Sequence, residues 1–398
     1  MNKNLSSRWL CGTTGIALGM AALFGCSGGD GTDAGVGGAG GAGGGSTIAS
    51  TTVSSGPGAA TTTTTTSTGV TSSTTGSGVT TSAGTGGANV GGGDPASTSS
   101  ATTGAGGSTP EEKFVGNITT SGAVRDGFAR YWNQITPENE GKWGSVERSR
   151  GSRDWSKLDA IYKYAQDNNI IFKHHVFVWG SQQPDWVGRL SGAEQQSAVR
   201  DWMKAFCERY PDTKYIDVVN EPPPHTTPSY KNGIGGDGAS GWDWIVNSFK
   251  WARELCPGAV LILNDYNNIE YENDHNNFMR IAKAVIDAGA PVDALGAQAH
   301  DAYKINTSTV KSYIDKMAAL GKPLYITEYD IGIADDNQQK RVMEEQFTMY
   351  WNHPSIKGIT LWGYIVGTTW RDNTGIQHSN GTMRPAMQWL MEFLDRGG

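Results

Sequence analysis

Aromatic residues are missing altogether from Ser27 to Pro110, a stretch built almost entirely of Gly, Thr, Ser and Ala with six consecutive threonines at Thr61–Thr66. Such a segment cannot bury enough apolar surface to offset the entropy of ordering it, which excludes a folded domain there. Residues 26–110 therefore read as a disordered Gly/Ser/Thr-rich linker, with a root-mean-square span of roughly 50 Å. Long apolar runs are also scarce. The one candidate, Trp9–Phe24, is interrupted by Thr13 and Thr14 and is too short and too polar for a comfortable bilayer span. With Lys3 and Arg8 in front of it, it reads as a signal peptide over residues 1–25, and the chain as an exported one. The sequence LFGC at 23–26 resembles a bacterial lipobox, in which Cys26 carries lipid and ties the mature chain to the outer face of a membrane. Ordinary cleavage nearby, giving a freely secreted protein, is the other reading.

Cysteine and metal-binding patterns are sparse as well. There is no Cys pair at zinc spacing and no His-x-x-x-His on a helix, so neither a metal nor a cofactor is expected. A formal charge of −7 disfavours nucleic acid and suits a neutral ligand. Cys207 and Cys256 fall near the ends of helices that precede consecutive strands. In an exported protein they could pair, or stay as two buried thiols, since spacing alone does not establish the required Cβ geometry.

What the chain does contain, from Glu111 to Gly398, is regular alternation. Apolar strand candidates appear at Lys113–Thr119, Trp132–Thr136, Ile170–Trp179, Tyr215–Asn220, Val260–Asn264, Ala294–Gln298, Leu324–Thr327 and Gly358–Trp362. Helical patterns lie between most of them, among them Lys157–Asn168, Ala193–Arg209, Trp242–Leu255, Asn276–Ala288, Thr307–Leu320 and Asp336–Tyr350. Eight strands alternating with helices predict an α/β fold, a single (β/α)8 barrel over 111–398, acting as a monomer. In such a barrel chemistry gathers where strands end, and polar or aromatic side chains do follow seven different strands here. Two of these ends carry glutamates: YIDVVNEPPP at 215–224 places Glu221 where prolines stop a strand, and PLYITEYD at 323–330 places Glu328 likewise. Two carboxylates on rigid strand ends are the minimum equipment for acid/base and nucleophilic work on a glycosidic bond.

The stretches ITPENEGKW (135–143), FKHHVFVWGSQQPDW (172–186), DVVNEP (217–222), LNDYN (263–267), ALGAQAH (294–300), ITEYDI (326–331) and ITLWGY (359–364) with TTWR (368–371) resemble, in order and in register, the glycoside hydrolase family 10 xylanases. The resemblance implies retaining, endo-acting cleavage of β-1,4-linked xylan and xylo-oligosaccharides, with Glu221 as general acid/base and Glu328 as nucleophile. It also implies that Gln298 and His300 lie nearest to Glu328, and that Asn220 hydrogen-bonds the sugar 2-hydroxyl. Glu138, Asn139 and Lys142 would hold substrate, and His175, Trp179, Gln182 and Tyr266 would line the site at the bond to be cut. Trp362 and Trp370 would stack on sugar rings, while Trp202, Trp251 and Trp389 read as packing residues on helices.

The sequence departs from the family's commoner pattern at Gly144, Gly180 and Tyr329, departures expected to alter the wall of the cleft. Two other readings stand beside the main one. The same machinery could act on another β-linked glycoside, such as a glucan or a glycosylated plant compound. Alternatively, the chain could be a non-catalytic surface protein that binds xylan, although binding alone would not require two carboxylates.

Overall fold

The computed structural model describes residues 113–397; the signal-peptide, lipidation and linker readings lie outside them. Eight parallel strands close in sequence order into a barrel: β1 (Phe114–Ile118), β2 (Gln134–Thr136), β3 (Ile171–Trp179), β4 (Tyr215–Asn220), β5 (Val260–Asp265), β6 (Ala294–Ala297), β7 (Leu324–Tyr329) and β8 (Ile356–Leu361). Among the described residues eight α-helices accompany them: α1 (Trp143–Val146), α2 (Ser156–Asp167), α3 (Gly192–Arg209), α4 (Asp243–Leu255), α5 (Glu272–Asp287), α6 (Thr307–Ala318), α7 (Asp336–Asn352) and α8 (Pro385–Leu394). The strands are buried on both faces because one face packs against helices and the other fills the barrel.

At the N-terminal mouth, Phe114, Tyr215 and Tyr325 meet with ring centroids 5.1–5.7 Å apart and plug the barrel. The interior then turns polar towards the opposite end. Lys173 on β3 and Asp217 on β4, both fully buried, pair at 2.5 Å. Most element ends fall within one or two residues of the sequence reading, and two of the differences have a clear physical cause or consequence. Helix α5 begins at Glu272, ahead of the expected Asn276, because Glu272 and Asp274 suit a helix N-terminus although they carry no apolar periodicity. Strand β7 continues to Tyr329, two residues past the expected end, with Tyr329 paired to Leu361 of β8.

Cys207 in α3 and Cys256, at the C-cap of α4, are joined as a disulfide with Cα atoms 5.4 Å apart. The choice between a bond and two thiols is thus decided by the antiparallel-to-strand packing of neighbouring helices, which no spacing rule contains. The bond spans 49 positions. Replacing both cysteines by serine should lower the free energy of unfolding by about 2–4 kcal/mol. Urea titration of the double variant checks this, and an unchanged midpoint would argue that the thiols are free.

Candidate active site

Glu221 follows the last residue of β4 with a left-handed backbone (φ 49°), and its N–H donates to the Asn264 carbonyl at 3.0 Å. Its carboxylate accepts from Trp179 Nε1 at 2.8 Å and from Gln298 Nε2 at 3.0 Å. Glu328 sits one residue before the end of β7, where it accepts from Asn264 Nδ2 at 3.0 Å and lies 3.3 Å from His300 Nε2. The two carboxylates are linked through Asn220: its Oδ1 accepts from Asn264 Nδ2 at 2.8 Å and from Gln298 Nε2 at 3.2 Å. The amide nitrogen of Asn220 is buried without a protein partner, a donor left over for a hydroxyl.

This corrects one expectation. Gln298 serves Glu221 rather than Glu328; only His300 of that pair reaches Glu328. The cause is Ala299, whose left-handed backbone (φ 65°) reverses the chain between them and sends the two side chains to different carboxylates. Asn264 takes the place expected of Gln298. Asn264 lies within the LNDYN stretch, where nothing local signals its contact with Glu328.

The electrostatics differ on the two sides. Burial alone would raise the pKa of Glu328, but the hydrogen bond from His300 and the charges of His175, His300 and Lys173 outweigh it and hold it below the ordinary value. His300 lies between two carboxylates, Glu328 and Asp330 at 3.2 Å. Burial opposes its charge, yet Asp330 and Glu328 push its pKa up to about 10. Beneath them His175 contacts Asp217, the partner of Lys173, at 2.9 Å and meets Trp362 edge-on at 5.3 Å.

A cavity of about 550 Å³ opens above this pair. On the β2–β3 side, Asn139 Oδ1 accepts from Lys142 Nζ at 3.0 Å and from Gln182 Nε2 at 3.2 Å, and Lys142 lies 5.0 Å from the Trp179 ring. Burial raises the pKa of Glu138 and lowers that of Lys142, the neighbouring opposite charges resisting both shifts. Tyr266 bounds the β5 side; Trp362 and Trp370 close the β8 side, with Trp370 Nε1 donating to Asp330 at 2.7 Å. The cavity thus gathers every candidate substrate residue, while Asn220 lies just beneath its floor. Asn267, Asp301 and Arg371 line it too and were missed. Arg371 Nη1 donates to Asp301 and to the His300 carbonyl, each at 2.8 Å, so its position beside Trp370 in TTWR was the available signal.

The three departures behave differently from expectation. Tyr329 is fully buried and turned outwards, its hydroxyl on Gln346 of α7 at 3.2 Å, because strand alternation puts it opposite Glu328. Gly144 and Gly180 are positions of close approach rather than open wall: an added Cβ would stand 2.4 Å from the Gln182 carbonyl oxygen and 2.5 Å from the Thr227 nitrogen.

A carboxylate pair at strand ends of a (β/α)8 barrel, in a cleft walled by tryptophan and mixed donors and acceptors, defines the class as glycoside hydrolase. The sequence profile of Glycosyl hydrolase family 10 matches residues 98–393, and the chain belongs to that family. It is 50% identical over 281 residues to endo-1,4-beta-xylanase B of Cellvibrio japonicus, a match covering 70% of this chain and 45% of that protein. It is 30% identical over 306 residues to endo-1,4-beta-xylanase A of Caldicellulosiruptor saccharolyticus, covering 68% of this chain and 89% of the other. The crystal structure of native xylanase 10B from Thermotoga maritima shares the fold, with a TM-score of 0.63 at 24% identity over 72% of this chain and 96% of that one. The chain spans less than half the length of the Cellvibrio relative.

An imidazole at about 10 when folded, against about 6.5 when unfolded, contributes stability that is complete below about pH 6.5 and is lost as pH rises towards 10. The difference in thermal midpoint between wild type and His300→Asn should therefore be largest near pH 6 and shrink by about pH 10. A constant difference across that range would contradict a charged His300.

Proposed function

We propose that the barrel is an endo-acting, retaining glycoside hydrolase that cuts internal β-1,4-xylosidic bonds. The observation that carries the reading is the unequal treatment of two linked carboxylates: Glu328 held ionised by His300, and Glu221 carried on amide and indole donors beside it. In this reading Glu328 attacks the anomeric carbon while Glu221 gives its proton to the departing oxygen. Glu221, then a carboxylate, takes a proton from water, whose oxygen displaces Glu328 and restores both groups. The amide nitrogen of Asn220 donates to the sugar 2-hydroxyl, a contact that strengthens as positive charge develops on the ring.

The cations and aromatic rings enclose Glu328 from the β2–β3 and β8 sides, so the sugar under attack is assigned there, with Glu138, Asn139, Lys142 and Gln182 beyond it. The leaving portion then runs over Tyr266. Kinship with enzymes named endo-1,4-beta-xylanase supports xylan as substrate; the other β-linked glycosides remain the competing choice because the same carboxylate chemistry would serve them. Export is part of the proposal as well, and the Cys207–Cys256 bond supports an oxidising compartment. Lipid attachment at Cys26 and action as a monomer complete it.

Proton NMR of xylohexaose digestion by the purified chain tests the reading. Internal cleavage with the β-anomer appearing first is expected, and a first-formed α-anomer would replace retention by inversion. Glu328→Gln should abolish turnover yet leave xylo-oligosaccharide affinity within about tenfold. Retained turnover would remove Glu328 from its role.

A further inference from the structure

Tyr266 reaches the cleft from the end of β5, yet among the described residues its hydroxyl makes no hydrogen bond. Its ring is held instead by His225, stacked on it with centroids 3.8 Å apart and planes 17° from parallel. His225 is not part of the cavity wall; it covers one face of Tyr266, which itself lines the cleft. The imidazole is itself fixed at both nitrogens, Nδ1 to Asp265 of β5 at 2.7 Å and Nε2 to Asp274 in the first turn of α5 at 3.4 Å. Burial works against its charge, but those two carboxylates raise its pKa overall. The chain on either side is pinned too: the Pro223 carbonyl accepts from Asn277 of α5 at 2.8 Å, and Thr226 binds the Glu221 carbonyl through its N–H and hydroxyl. Gly180 makes this path possible, since a side chain there would collide with Thr226 and Thr227.

We propose that His225 is a positioning residue that holds Tyr266 as the flat wall for the sugar on the leaving-group side of the cleft. The inference rests on the xylanase reading. Tyr266 belongs to the leaving side because it stands in the field of Glu221, the proposed proton donor, and follows β5, three strands round the barrel from β2, which Asn139 and Lys142 follow. A half-buried tyrosine just past a strand end has two side-chain torsions, and fixing them before substrate arrives removes an ordering cost from binding. The ring of His225 does this by contact, and the paired carboxylates keep that ring from rotating.

The test compares xylohexaose with β-xylobiosyl fluoride, whose departing fluoride needs no sugar-binding wall. In His225→Ala and His225→Gln, the ratio of kcat/KM for xylohexaose to that for the fluoride should fall about tenfold, the loss appearing mainly in KM for xylohexaose. His225→Phe, which keeps a ring against Tyr266, should restore most of the ratio. A ratio unchanged in the alanine variant would overturn the proposal. If the alanine variant does not fold, as judged by circular dichroism, the comparison of Gln with Phe decides: equal ratios overturn the proposal and a higher ratio in Phe supports it. A wild-type chain that cleaves neither compound would sink the xylanase reading itself and this inference with it.

Discussion

Glu328 is only 4% exposed and its neighbours still hold its pKa below the ordinary value, a balance around which the mouth of the barrel is arranged. Taking such an ion out of water costs several kcal/mol unless opposite charge and hydrogen bonds replace the lost hydration. His300 supplies the nearest charge, and Asp330 on its other nitrogen joins Glu328 in favouring that charge. Asp330 in turn accepts from Trp370, so a ring of the cleft wall is tied to the same chain of interactions. Lower down, Lys173 and Asp217 alternate in sign beneath His175, which spreads the buried charge instead of concentrating it.

The second carboxylate is handled by neutral donors. Trp179 and Gln298 each give Glu221 one N–H, and Asn220 couples the two halves through shared amide contacts. Asn220, at the end of β4, touches neither carboxylate but holds one amide donor of each, Asn264 for Glu328 and Gln298 for Glu221. The left-handed residues at 221 and 299 lie where the chain leaves its strands and aims side chains sideways into the cleft. Their conformations are costly for non-glycine residues and persist because the surrounding hydrogen bonds determine them.

Around this centre the walls are built from loop against loop. The segment after Glu221 packs into space left by Gly180 and delivers His225 to Tyr266, so a small residue just after β3 and an aromatic just after β5 are connected through the turn that follows β4. The disulfide between α3 and the end of α4 braces the outer layer on that same side of the barrel.

Eight strands, the barrel and the identity of the two strand-end glutamates were legible in the sequence because their signals are local: apolar runs, prolines and glycines at element ends, and acidic residues where a ladder stops. Helix starts without apolar periodicity, as at Glu272, were not. Alternation along β7 would have placed Tyr329 outwards, had the strand not been ended early at Thr327. Other features arise only when distant segments meet: Gln298 on Glu221, Asn264 on Glu328, the Cys207–Cys256 bond and the His225–Tyr266 stack. Composition and periodicity determined which residues stand at the barrel's open end. Which of them touch depended on backbone reversals such as Ala299 and on close approaches such as Gly180, and those are properties of packed chains rather than of neighbouring letters.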